Sequence, residues 1–298
     1  VLADYLALKP RDVALVERTT PAWLEWARVR GTRVAVWALV VVLLGSGFLW
    51  VSQELNQTVA EAVPDITAHR GSSRAAPENT LSALRQAIRD GADYAEIDVQ
   101  STADGRVVLM HDADFMRVAG APRRLEEVTL KEGRRLDMGR WFSEAFAGER
   151  LATLEEAIKV CRGRLRLNIE LKYNRPDPEL AIRVGEILRR KAFIDQCIVM
   201  SLDWGPLQAF REAYPEVPVG LIVFRSLGKL ETSNADAYSL NAARLTASRV
   251  NAIQRMGAEV HVWTVNNERL ALKLIETGVD NLITDLPAEM RHLSLIHI

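Results

Sequence analysis

An α/β architecture, a (β/α)8 barrel of the TIM type preceded by a transmembrane helix, is what this 298-residue sequence predicts. Three observations carry the expectation. Nine short apolar runs alternate with amphipathic stretches over roughly 235 residues, which suits a closed parallel barrel better than an open sheet. One uncharged segment near the N-terminus is long enough to cross a bilayer. Histidines and carboxylates gather at the C-terminal ends of the apolar runs, where a barrel of this kind assembles its chemistry.

Composition excludes little but sets the frame. With 48% hydrophobic residues, 26% charged residues and a net charge of −1, the chain reads as an ordinary folded protein. The near-neutral balance gives no electrostatic reason to expect nucleic acid as a partner. Cys161 and Cys197 are too few for a disulfide framework and fit no zinc spacing. Both sit beside apolar residues and read as small core residues, with one disulfide between them left open if the domain is exported.

Residues 34–53 contain no charge and match the hydrocarbon thickness of a bilayer. Trp37 and Trp50 lie near the two ends, where indoles favour the interface. A buried core helix would show polar positions on one face. A cleaved signal peptide is the sharper alternative, since Ala60-Glu61-Ala62 resembles a cleavage site. That site lies far beyond the apolar run, however, and the run itself begins late, so a retained span is the expectation. Arg28, Arg30 and Arg33 precede it, whereas Glu54, Glu61 and Asp65 follow. Positive flanks stay cytoplasmic, which places the rest of the chain on the extracytoplasmic side of the membrane. Residues 1–33 then form a cytoplasmic or interfacial segment, or the end of a larger membrane region, and residues 54–64 a linker.

The barrel is expected over residues 65–290. Its strands read as Ile66–His69, Tyr94–Val99, Val107–His111, Arg166–Leu171, Cys197–Leu202, Val217–Val223, Ala237–Asn241, Glu259–Val265 and Asn281–Thr284. Leu81, Leu84, Ala87 and Ile88 form a helical stripe behind a cap at Asn79 or Thr80. Similar patterns start at Thr153, Pro178, Gly205, Ala247 and Glu268, and Gly91, Gly257 and Gly278 follow helices as C-cap glycines do. The second and third strands are joined only by Ser101–Arg106, too short for a crossover helix, so one of the two extends the barrel instead of forming its wall. Residues 113–151, charged and irregular, read as an insertion over the active-site end. Residues 291–298 read as a tail.

The chemistry is expected at four strand ends. Glu96 and Asp98 stand at i and i+2 and therefore share a face, as do Glu170 and Lys172. Three inward carboxylates, Glu96, Asp98 and Glu170, would repel one another without a cation, and an all-oxygen set favours Ca²⁺ or Mg²⁺. Arg70 and Lys172 add positive charge for a phosphate and its transition state. His69 and His111, at opposite sides of the mouth, divide the proton transfers. A lone histidine is more often a hydrogen-bonded core residue than a catalyst; the convergence of these groups points instead to phosphoryl transfer.

The ordered motifs His69-Arg70-Gly71, Pro77-Glu78-Asn79-Thr80, Glu96-Ile97-Asp98, Asp104-Gly105, His111-Asp112 and Ile169-Glu170-Leu171-Lys172 resemble the glycerophosphodiester phosphodiesterase family. Val262-Trp263-Thr264-Val265-Asn266, Gly278-Val279-Asp280 and Ile283-Thr284-Asp285 continue the likeness towards Pro287. The preceding apolar helix is similar to that of bacterial, membrane-anchored members. The resemblance implies hydrolysis of small glycerophosphodiesters to glycerol 3-phosphate and an alcohol, with one divalent cation, Ca²⁺ or Mg²⁺. It implies that His69 and His111 are the acid/base pair and that Glu96, Asp98 and Glu170 hold the metal. It further implies that Arg70 and Lys172 contact phosphate, that Trp263 walls the substrate pocket, and that Glu78 and Asn79 brace the first loop. Ala152 and Asn281 depart from the family pattern without touching this chemistry. Two rivals stand beside this reading: lysophospholipase D-type hydrolysis of lysophospholipids at the membrane, and a catalytically inactive membrane-anchored binding module.

Overall fold

The computed structural model describes residues 41–48, 63–224 and 233–296. The chain divides into two units, residues 1–58 and residues 59–298. In the first, residues 41–48 are helical with exposed side chains. The rest of the expected span 34–53, the segment 1–33 and most of the linker 54–64 lie outside the described residues. Among the described residues, no helix is long and apolar enough to cross a membrane.

The second unit is a closed barrel. Its strands are β1 (Asp65–Ala68), β2 (Tyr94–Ser101), β3 (Val107–Leu109), β4 (Arg166–Leu171), β5 (Cys197–Ser201), β6 (Val219–Val223), β7 (Ala237–Asn241), β8 (Glu259–Trp263) and β9 (Asn281–Thr284). All but β3 run parallel, each paired with its neighbour from β4 round to β9. Closure comes from β1, which pairs with β9 on one side and β2 on the other. The hairpin through Asp104-Gly105 turns back at once, with Thr102 N–H donating to the Arg106 carbonyl at 3.0 Å. β3 lies antiparallel on the upper part of β2, from Val99↔Leu109 to Ser101↔Val107. It takes the edge that β1 leaves free beyond Ala68↔Ala95 and so extends the rim instead of forming a stave.

Helices cover the outside because their apolar stripes match the outward apolar face of the strands. In Leu81–Arg89 the Thr80 side chain caps the first turn by accepting from Ala83 N–H, and Ala83, Leu84 and Ala87 are buried. Full burial of a leucine such as Leu84 contributes roughly 1.5–3 kcal/mol. Helix Leu154–Cys161 starts with a reciprocal capping box between Thr153 and Glu156. Cys161 and Cys197 are buried and unbridged, as small core residues.

Two departures from the expectation concern the ends of the barrel. Residues 113–151 hold short helices at Met116–Ala119 and Leu130–Gly133 and single 3-10 turns, built round a core of their own. Phe115, Val118, Leu125, Val128, Met138 and Leu151 bury that core against Val108 and Met110 of the rim. These apolar residues follow no regular spacing, which is why the sequence pattern reads as irregular. The expected tail at 291–298 is corrected: helix Pro287–Ile296 continues through residues 291–296, with Met290 and Leu293 buried. Arg291 fastens it by donating to the Gly91 carbonyl at 3.0 Å and pairing with Asp93. Two buried apolar residues three apart are too weak a stripe to predict a helix.

Candidate active site

Alternation along β2 and its parallel partner β4 sends one set of side chains inward. Register then places Glu96 opposite Asn168 and Asp98 opposite Glu170. The carboxylate oxygens of Glu96, Asp98 and Glu170 lie within 4.8 Å of one another. Burial, and next the Asp98 charge, pushes the Glu96 carboxyl up to about 8, and the same two causes raise Glu170. Burial weighs against Asp98 too, but Lys172 and Arg70 prevail and lower its pKa, so Glu96 and Glu170 are the two left short of positive charge. Lys172 supplies part of it, with Nζ 2.9 Å from Glu170 and 3.3 Å from Asp98. Burial works against the Lys172 ammonium, but those carboxylates outweigh it and raise its pKa.

The β1 end turns sharply. Arg70 and Asn79 both adopt left-handed backbone conformations, φ 54° and 55°, which is rare for arginine and marks a turn held by its surroundings. Gly71, at φ 76°, packs where a Cβ would stand 2.7 Å from Ala83 Cβ, so only glycine fits. This turn lets Arg70 N–H donate to Glu96 at 2.8 Å while its guanidinium reaches Glu78 at 2.9 Å and Asp98 at 3.5 Å. Asn79 clasps Asp98 twice, donating to the carboxylate at 2.9 Å and accepting from its backbone N–H at 3.1 Å.

Each histidine carries a carboxylate on Nδ1. His69 Nδ1 is 2.7 Å from Asp285, and His111 Nδ1 is 2.7 Å from Asp112. That pairing favours the tautomer with the proton on Nδ1 and leaves Nε2 as the acceptor. Burial alone would lower the His69 pKa; the Asp285 hydrogen bond and the Glu96 charge outweigh it and raise it. Asp285 is itself held by Asn266 at 2.6 Å and Ser73 at 3.1 Å. Burial would raise its carboxyl, but the His69 hydrogen bond prevails and the pKa falls from 3.8 to about 2. Because the folded value lies below the unfolded one, this stabilisation is complete above about pH 4 and disappears as pH falls through 2. Asp285→Asn should therefore lower stability by roughly 1–2 kcal/mol at neutral pH. In the same variant, NMR titration should place the His69 imidazole at a lower pKa, and kcat should drop by about 10–100-fold. An unshifted His69 titration would contradict the assigned role.

Arg117, in the excursion after β3, ties the two sides together. It donates to Asp112 at 2.7 Å and twice to Glu78, at 2.8 and 2.7 Å. The chain Arg70, Glu78, Arg117, Asp112 and His111 is thus continuous.

His69, Arg70, Glu96, His111, Glu170, Lys172 and Trp263 line one cavity of about 230 Å³. Asp98 is buried at its edge, and Glu78 and Asn79 stand behind the first loop. The rest of the lining is mostly apolar, with Met200, Leu202, Ile222, Phe224 and Ile283 joining Trp263. Trp263 stacks on Phe224, with ring centroids 6.0 Å apart. All the residues singled out by sequence therefore meet at or around one mouth. Sequence reasoning assigned no role to Asp285, Arg117 or the apolar lining. Asp285 follows β9 directly, as His69 follows β1, so the strand-end rule applied once more would have found it.

The model of the "Glycerophosphoryl diester phosphodiesterase family" matches residues 69–289. The Bacillus subtilis protein YhdW, provisionally named a glycerophosphodiester phosphodiesterase, is 36% identical over 74% of this chain and 94% of its own. A glycerophosphodiester phosphodiesterase of Caldanaerobacter subterraneus is 31% identical over 76% of this chain and 96% of its own. An Oleispira antarctica phosphodiesterase, solved with the product sn-glycerol-3-phosphate, superposes with a TM-score of 0.72. It is 30% identical, and the match covers 79% of this chain and 98% of that one.

Proposed function

The chain belongs to the glycerophosphoryl diester phosphodiesterase family and is a phosphoric diester hydrolase; we propose that it cleaves glycerophosphodiesters to glycerol 3-phosphate and an alcohol with a divalent cation and a His69/His111 acid–base pair. The observation that carries this reading is the convergence at one cavity of three clustered carboxyl groups, two cationic side chains and two carboxylate-backed imidazoles.

The donor set fits a hard cation, because every candidate ligand is a carboxylate oxygen and the raised Glu96 carboxyl lacks a full counter-charge. Glu96, Asp98 and Glu170 would hold Ca²⁺ or Mg²⁺, which supplies Lewis-acid neutralisation of phosphate charge. Arg70 and Lys172 bind and orient the phosphate. One imidazole Nε2 takes the proton of the attacking hydroxyl and the other returns a proton to the departing alkoxide. If the substrate's own hydroxyl attacks first, the two histidines exchange roles when water opens the cyclic phosphate. Asp285 and Asp112 keep both rings in the required tautomer.

Turnover of glycerophosphocholine should exceed that of lysophosphatidylcholine, measured on the same preparation. A clear preference for the lipid would overturn the substrate class. The apolar run 34–53 and its flanking charges support a membrane-tethered enzyme with the barrel on the extracytoplasmic side. Expression with residues 1–53 should put activity in the membrane fraction, open to protease added from outside. Activity wholly in the soluble fraction would refute the tether.

A further inference from the structure

One polar side chain in the cavity is not used by this chemistry. Asn168 stands on β4 two residues before Glu170, opposite Glu96 in the register, and it lines the cavity. Its side chain is 1% exposed, yet among the described residues neither the amide nitrogen nor the carbonyl oxygen has a hydrogen-bond partner. Leaving such a group unsatisfied costs about 1–3 kcal/mol, and an amide buried for packing alone would have been matched or replaced by an apolar residue. Ser239, also 1% exposed, lines the same cavity from β7. Elsewhere in the barrel interior Thr67 donates to Asn281 at 2.7 Å, whereas Trp263 Nε1, on the same cavity, is also unmatched among the described residues. The unmatched amide therefore faces something that enters from the cavity.

We propose that Asn168, with Ser239 on the same cavity from β7, is the specificity-determining subsite for the terminal hydroxyl of the substrate's polyol half. This rests on the glycerophosphodiester reading and deepens it. An uncharged primary alcohol both donates and accepts one hydrogen bond, which matches a carboxamide presenting a donor and an acceptor together. A charged ammonium or phosphate would leave one of the two unused. Position agrees as well. Two residues along a strand span about 6.6 Å, so Asn168 lies one layer beneath Glu170, deeper than the phosphate-binding groups at the mouth. With the phosphate held by Arg70 and Lys172, the end of the three-carbon chain is the part that reaches downward. A site built to bond a hydroxyl rejects the analogue lacking it, because its own buried polar atoms are then stranded.

The test compares glycerophosphocholine with the analogue in which propane-1,2-diol replaces glycerol. The analogue keeps the hydroxyl next to the phosphoester and lacks only the terminal one. Wild-type enzyme should prefer glycerophosphocholine by about 10- to 100-fold in kcat/KM. Asn168→Leu and Asn168→Ala should lose that preference by slowing the glycerol substrate alone, while Ca²⁺ affinity by calorimetry stays unchanged. Equal turnover of both substrates by wild type would overturn the subsite without recourse to any variant. An equal loss on both substrates, or weakened Ca²⁺ binding, would instead make Asn168 a support for the metal ligands or for ordered water. Failure of wild type to cleave either substrate would strike the function reading itself, a result distinct from those three.

Discussion

His69→Ala and His111→Ala should each lower kcat by about 10²–10⁴-fold, the range expected when a positioned general acid or base is removed. Both imidazoles line the cavity, and each is oriented by its own carboxylate at 2.7 Å. The two losses should not multiply in the double variant, because a proton taken without a proton returned completes no turnover. Neither substitution should unfold the barrel. His111 is bonded to a neighbouring residue at the rim, and the backbone that His69 contributes is tied to β9 independently of its ring, through its N–H to Thr284 at 2.8 Å. Circular dichroism melts separate the two effects. A variant that melts like wild type and retains a tenth or more of its activity would remove that histidine from the mechanism.

Removal of the divalent cation should have the second large effect. Dialysis against chelator should abolish turnover, and Mg²⁺ or Ca²⁺ should restore it. Affinity in Glu170→Gln should fall by more than the roughly 10–100-fold seen when a group that merely supports a ligand is lost. A readout independent of activity exists. With the three carboxyl oxygens within 4.8 Å of one another, the metal-free protein pushes the Glu96 carboxyl up to about 8, so cation binding should stabilise the fold. At 100 times Kd the gain is about 2.7 kcal/mol, or roughly 5–10 °C in Tm for a domain of this size. An unchanged Tm with either cation would deny the carboxylates a ligand role.

The barrel was largely legible because its evidence is local. Nine apolar runs, bounded by turn residues, emerged as nine strands, with ends displaced by one or two residues as at Val219 and Trp263. The short Asp104-Gly105 connection marked β3 as an extension before any pairing was visible. The i, i+2 spacing of Glu96 and Asp98 set them on one face without knowledge of the partner strand. What was hidden depends on contacts distant in sequence. Asp285 meets His69 across the closure of the barrel, 216 residues away. Arg117 reaches Glu78 from an excursion whose core residues follow no period. Asn168 reads as a polar residue in a buried strand, and only the structure reveals that no described residue bonds its side chain.

The central claim, that this barrel splits glycerophosphodiesters at one phosphoester bond with a cation at Glu96, Asp98 and Glu170, is tested most directly by phosphorus NMR of glycerophosphocholine with the purified protein. In the presence of Mg²⁺ or Ca²⁺, the diester resonance should give way to glycerol 3-phosphate, with no reaction under excess chelator. Accumulation of phosphocholine, or undiminished hydrolysis in chelator, would contradict it.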